Sequence, residues 1–124
     1  MVDLDTVRRL AEALPETTAR PDGDSLIVEV AGKGVAWAYR AREAPKKPRV
    51  IQPGVLAMRC NMARKELLME AAPHAFFQDD HYRGYPAVLV RLSEVDEAEV
   101  ASLLEEGWRI QAPKTLIKRH RPDG

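Results

Sequence analysis

A single cysteine, Cys60, is all the thiol this chain of 124 residues carries. No intrachain disulfide can form, and a reducing cytoplasm is the expected setting. Long apolar runs are missing as well. None approaches the ~20 residues that a membrane span needs, so no membrane partner is expected. The opening MVDLDTVRRL is acidic and amphipathic and does not read as a signal peptide. There is no internal repeat, no low-complexity tract and no domain linker. Catalytic signatures are absent too. Ser25, Ser93 and Ser102 lie in no GxSxG context, and the dispersed glycines form neither a phosphate loop nor a GxGxxG pattern. His74, His81, His120 and Cys60 share no metal-ligand spacing. No catalytic pair can be assembled, so the chain is expected not to be an enzyme and to need no metal or cofactor.

What is present begins with size. The length is that of one domain, able to bury roughly two thirds of its unfolded surface. The expected division is a single domain over residues 1–117 and a polar, frayed tail over 118–124. Formal net charge is zero, yet the charge is segregated along the chain. Residues 1–30 are net −4, 33–65 net +8, 66–106 net −8 and 107–124 net +4. Such blocks make either a molecule with one basic and one acidic face, or a set of segments that interleave in space and cancel.

Periodicity supplies the elements. Leu4, Val7, Leu10, Ala11 and Leu14 form a helical stripe over 3–14, capped by Asp3 or Asp5 and stopped by Pro15. A loop over 16–24 is expected next. Leu26, Val28 and Val30 alternate with Ile27, Glu29 and Ala31. A two-residue turn at Gly32-Lys33 leads to a return strand with Val35, Trp37 and Tyr39 on one face and Ala36, Ala38 and Arg40 on the other. The stretch 41–54 holds Pro45, Pro48 and Pro53 and reads as a long connection. A third strand spans 55–60, then a helix over 63–72 capped by Asn61, with Leu67, Leu68 and Ala71 inward and Pro73 closing it. Phe76-Phe77 starts a short buried segment. A turn covers 79–85, and a strand over 86–92 places Val88, Val90 and Leu92 on one face. The last helix runs from Glu97 to about Arg109. Asp96 and Glu99 form a capping box, Val95 and Val100 a staple, and Val100, Leu103, Leu104 and Trp108 the inward stripe. Short connections favour an antiparallel sheet. The fold class is α+β, a two-layer sandwich with helices packed on one face.

Among candidate functional groups, the basic loop 42–49 stands out. Arg42, Lys46, Lys47 and Arg49 face one acid, Glu43. Such a proline-stiffened arm neutralises phosphates. A second basic run comprises Arg109, Lys114, Lys118, Arg119 and Arg121. Neither contains a base-reading pattern. His81 beside Asp79 and Asp80 is either a carboxylate–imidazole cluster or a polar turn. The acidic run of the last helix reads as a solvated face. Trp37 and Trp108 read as core residues; Tyr82 and Tyr85 either flank a groove or tuck under the sheet. Cys60 reads as a buried small hydrophobe.

HYRGYPAVLVRL, a helix ending in Trp108 and then Ala112-Pro113-Lys114 resemble the MmcQ/YjbR-like family, as does Gly32-Lys33 followed by Val35-Ala36-Trp37. The resemblance covers residues 4–116. It implies a CyaY-like α/β sandwich and DNA binding through a double-wing motif. It places Lys33 at the first wing tip, Arg83 beside the second turn and Lys114 at the helix exit, all as phosphate contacts. The 41–54 loop is longer and more basic than that pattern. The reading is a DNA-binding protein that grips phosphates through Lys33, Arg42, Lys46, Lys47, Arg49, Arg83 and Lys114 with little sequence preference. It requires the 42–49 loop, Arg83 and Lys114 to share one face. The alternatives are a protein-interaction or chaperone-like module and, more remotely, frataxin-like metal binding by acidic side chains.

Overall fold

Asp3 opens the fold by accepting a hydrogen bond from the Thr6 amide at 2.8 Å, which caps the first helix, α1 (Leu4–Glu12). The computed structural model describes residues 1–120. After α1 come β1 (Thr17–Asp22), β2 (Ser25–Val30), β3 (Lys33–Arg42), β4 (Arg49–Arg59), α2 (Met62–Ala71), β5 (Phe76–Phe77), a 3-10 turn (Asp80–Tyr82), β6 (Ala87–Arg91), a brief 3-10 stretch at Leu92–Glu94, α3 (Glu97–Gln111) and α4 (Lys114–Arg119). The strands form one six-stranded sheet in the order β1-β2-β3-β4-β6-β5, and every neighbouring pair is antiparallel. The α+β class with its antiparallel sheet is as expected. Asn61 caps α2 and the Asp96–Glu99 capping box starts α3, as their spacing required.

The main core lies between the sheet and α1 and α3. Val28, Val30, Leu56, Met58, Val88 and Val90 from the strands meet Val7, Leu103, Leu104 and Trp108 from the helices. Trp108 is wholly buried and its Nε1 donates to the Pro15 carbonyl at 3.0 Å, tying α3 to the chain that leaves α1. Gly107 lets α3 approach closely: a Cβ there would lie 3.0 Å from the Arg59 carbonyl. The opposite face carries a smaller cluster of Tyr39, Ala57, Leu89, Ala87 and Tyr82, the last supplied by the 3-10 turn.

Several elements differ from the periodicity reading. Residues 16–24 hold the edge strand β1 rather than a loop. Its TTARPD sequence lacks the apolar alternation of a half-buried strand, and an edge tolerates Pro21. The β2–β3 turn is Ala31-Gly32, with φ of 52° and 77°, and Val30 pairs with Lys33. Lys33 is therefore the first ladder residue of β3 and not a turn tip. A register shift at Val28/Glu29 breaks alternation, so Val35 and Ala36 both reach the helix-side core while Trp37 turns to the other face, half-buried. The long 41–54 connection shrinks to residues 43–48. Arg42 pairs with Arg49, and the shift between Ala38 and Arg40 absorbs Pro53 and Gly54 within β4. In α2, Leu67 is 61% exposed and Ala71 exposed, while Lys65 is 0% exposed. The inward face is Lys65, Leu68, Met69 and Ala72, so of the three residues expected inward only Leu68 is there. Lys118 and Arg119 continue α4, so they are not frayed; Arg121 and the rest of 121–124 lie outside the described residues.

Ala31 holds a left-handed conformation that costs a residue with a Cβ roughly 1 kcal/mol. Ala31→Gly is expected to raise unfolding stability by somewhat less than that, since glycine also loses more entropy on folding. A urea midpoint unchanged or lowered would contradict the strain.

Candidate functional site

The β3–β4 hairpin carries its charge at its tip. Antiparallel pairing sets Arg42 directly opposite Arg49, and residues 43–48 add Lys46 and Lys47. All four are exposed, and among the described residues none has an ion pair. Like charges directly opposite one another destabilise a ladder. Both arginines turn to backbone instead: Arg42 donates to the Pro45 carbonyl at 3.2 Å and Arg49 to the Arg40 carbonyl at 3.3 Å. Neighbouring Arg40 is neutralised by Asp22 at 3.0 Å.

The other expected contacts lie elsewhere. Lys33 begins β3 and Arg42 ends it, so the two are separated by the strand's length, about 30 Å. Lys114 starts α4, three residues after Gln111, whose side chain donates to the Gly34 carbonyl at 3.0 Å. Lys33 and Lys114 thus belong to the end of the sheet remote from the 42–49 tip. Arg83 leaves the 3-10 turn over the second face and pairs with Asp80 at 2.7 Å. The expectation that the 42–49 loop, Arg83 and Lys114 share one face fails, because strand polarity sends β3's two ends in opposite directions.

The second face of the sheet holds an arrangement that sequence reasoning missed. Lys65 is buried, and its Nζ donates to the Tyr82 carbonyl at 2.7 Å and the Tyr85 carbonyl at 2.8 Å. Burial pulls its pKa down. The two carbonyls belong to the segment that covers the smaller core, so one ammonium pins that segment to α2. Asp79 pins its other end: Oδ1 accepts from the Tyr82 amide at 3.0 Å and Oδ2 from the Tyr39 hydroxyl at 2.7 Å. Burial, and then the bond to Asp79, push the Tyr39 phenol up to about 12. Burial also raises Tyr82. Both phenols stay protonated near neutrality; Tyr39 donates to Asp79, while Tyr82 accepts from Trp37.

Between this segment and β3 lies a cleft of about 280 Å³ lined by Trp37, His81, Tyr82 and Tyr85. A second, of about 240 Å³, shares Trp37 and Tyr85 and adds Ile27, Glu29, Gly34, Arg59 and Gln111. The rings meet edge to face: Trp37–Tyr85 at 6.4 Å and Tyr82–Tyr85 at 6.0 Å. Trp37 Nε1 donates to Tyr82 Oη at 3.0 Å. Tyr85 is 43% exposed, under the Arg59 guanidinium at 5.6 Å. Tyr82 and Tyr85 flank a groove, and Trp37 belongs to its wall. The stripe Lys65, Leu68, Met69, Ala72 was the available signal, since a lysine at a core position needs buried acceptors. Burial raises the Cys60 thiol, which suits an inert side chain. No grouping of three His, Cys, Asp or Glu residues suited to a metal ion occurs among the described residues. No helix there is long and apolar enough to cross a membrane.

Lys65→Met keeps the length and removes both hydrogen bonds, leaving the Tyr82 and Tyr85 carbonyls with only the Tyr85 and Ala87 amides as donors. The expected cost is about 2–4 kcal/mol, with hydrogen exchange of the Tyr82–Ala87 amides accelerating before global unfolding. Exchange confined to global unfolding would refute the pin. Tyr39 titrates higher folded than unfolded, so its contribution is complete below pH 10 and declines as pH climbs toward 12. The stability gap between wild type and Tyr39→Phe should therefore narrow by about 1 kcal/mol between pH ~8 and ~11 in urea titrations. A constant gap would rule out the raised phenol.

Comparison with known proteins accords with this architecture. The YjbR family model matches residues 12–110. The chain is 30% identical over 134 aligned positions to the uncharacterized proteins Mb2600 of Mycobacterium bovis and Rv2570 of Mycobacterium tuberculosis, covering 95% of each chain. The crystal structure of Deinococcus radiodurans protein DR2400, a DUF419 domain, superposes with a TM-score of 0.65 at 20% identity, over 96% of this chain and 88% of that one. It supports the fold. With the family model spanning most of its length, the chain belongs to the YjbR family.

Proposed function

We propose that this protein binds the phosphate backbone of DNA through the β3–β4 wing, with little sequence preference. The observation that carries the reading is the tip itself, where Arg42 and Arg49 face each other beside Lys46 and Lys47 with no carboxylate among the described residues paired to any of them. A phosphate between the two guanidinium groups relieves their repulsion and accepts from both. The hairpin projects these groups from a rigid sheet, so little order is lost on contact. Lys33 and Lys114 stand at the other end of β3 from the wing, and Arg83 pairs with Asp80. On this reading the protein is a binding module rather than an enzyme, working in a reducing cytoplasm where its buried cysteine stays inert.

Fluorescence anisotropy with a labelled duplex across ~50–200 mM salt tests it. Four phosphate contacts give a log–log slope of about −3 to −4. The variant Arg42→Gln, Lys46→Gln, Lys47→Gln, Arg49→Gln should flatten that slope, while Lys33→Gln with Lys114→Gln should leave it almost unchanged. A flat wild-type response, or a wing variant with wild-type affinity, would overturn the reading.

A further inference from the structure

The wing and the aromatic cleft are built on the same strand. We infer that the preferred ligand is a single strand of nucleic acid, with phosphates on the wing and an unpaired base in the cleft walled by Trp37, His81, Tyr82 and Tyr85. The inference rests on the wing reading and names its ligand more narrowly.

Four observations carry it. The cleft's walls are rings set nearly perpendicular, Trp37 to Tyr85 at 79° and Tyr82 to Tyr85 at 80°. A flat ring entering face-on to one wall meets the next edge-on, and both contacts are favourable. The donor of Trp37 is already spent on Tyr82, so the indole offers its ring face, while the Tyr82 hydroxyl keeps a proton to donate to a base carbonyl or ring nitrogen. The cleft is held rigid before any ligand arrives by Lys65 and Asp79. Finally, the surroundings suit a neutral ring better than a phosphate: Asp79, Asp80 and Glu29 lie close by, and the nearby cations Arg83 and Arg59 are engaged by Asp80 and Tyr85. Among the described residues, unpaired cations cluster on β3 at the wing, where Arg42 stands with Arg49, Lys46 and Lys47, whereas Lys33 is a single charge at the strand's other end. Trp37 and Arg42 are five residues apart, about 17 Å of strand, a gap that a short run of nucleotides spans. A duplex must unpair and unstack a base before the cleft can take it, a cost that a single strand avoids.

Trp37 reports on the site directly, because Trp108, the second of the two tryptophans, is buried in the core. The probes are a labelled oligodeoxythymidine, the same strand annealed to oligodeoxyadenosine, and thymidine monophosphate. The single strand should bind at least ~10-fold more tightly than the duplex and quench tryptophan fluorescence. Trp37→Ala should lose about 10-fold in single-strand affinity. Trp37→Phe, which keeps a ring in place, should retain most of the affinity and lose the quenching. Salt-sensitive binding with equal or better affinity for duplex and no quenching overturns the cleft inference and leaves the wing reading standing. Quenching by the mononucleotide without salt-sensitive strand binding overturns the wing reading and the strand with it. No binding of any probe overturns both.

Discussion

The ammonium of Lys65 sits among buried atoms and gives its hydrogens to two peptide carbonyls, and the whole second face of the sheet is arranged around that fact. Burying a charge is costly unless its donors are satisfied. Here α2 presents the charge and the Tyr82–Tyr85 turn presents the acceptors, so neither is stable in place without the other. The turn then lays Tyr82 over Tyr39, Ala57 and Leu89 and closes a second small core. Without it, those residues would face water as an uncovered apolar sheet. The same turn positions Tyr82 and Tyr85 against Trp37 and so creates the cleft. Folding and the candidate binding surface share one polar anchor.

Charge follows a comparable logic. The acidic and basic blocks of the chain largely interleave in space. Arg40 meets Asp22 at 3.0 Å, Arg64 meets Glu106 at 3.2 Å and Arg119 meets Glu16 at 3.1 Å, each pair joining a basic block to an acidic one. These exposed pairs each contribute little to stability. Their consequence is electrostatic: they cancel most of the segregation and leave the 42–49 wing as a concentrated positive feature beyond their reach. A molecule of zero net charge thus keeps a local field suited to a polyanion.

Local signals in the sequence were dependable where a few neighbouring residues decide the outcome. Asn61 and Asp96 cap their helices because capping needs only a side-chain oxygen and the next turn of amides. The alternation of Leu26, Val28 and Val30 and of Val88, Val90 and Leu92 read correctly, since pleating alone fixes which side each takes. The edge strand β1 was illegible because its pairing comes from β2 and not from any apolar pattern of its own. Val35 was grouped with the wrong neighbours because the register shift beside it puts it on the helix side, while Trp37 and Tyr39 keep the shared face that alternation gave them.

The candidate site divides along the same line. The cations of residues 42–49 and the stiffness of their prolines are properties of the chain itself, as are the absence of catalytic motifs and the membership of one α+β class. Where Lys33, Arg83 and Lys114 stand relative to that wing was decided by strand polarity and by the path of the 79–86 segment over the sheet. The burial of Lys65 and the meeting of Trp37, Tyr82 and Tyr85 were decided there too. Those outcomes depend on pairings between residues tens of positions apart, which become definite only when the sheet closes and its two faces acquire different neighbours.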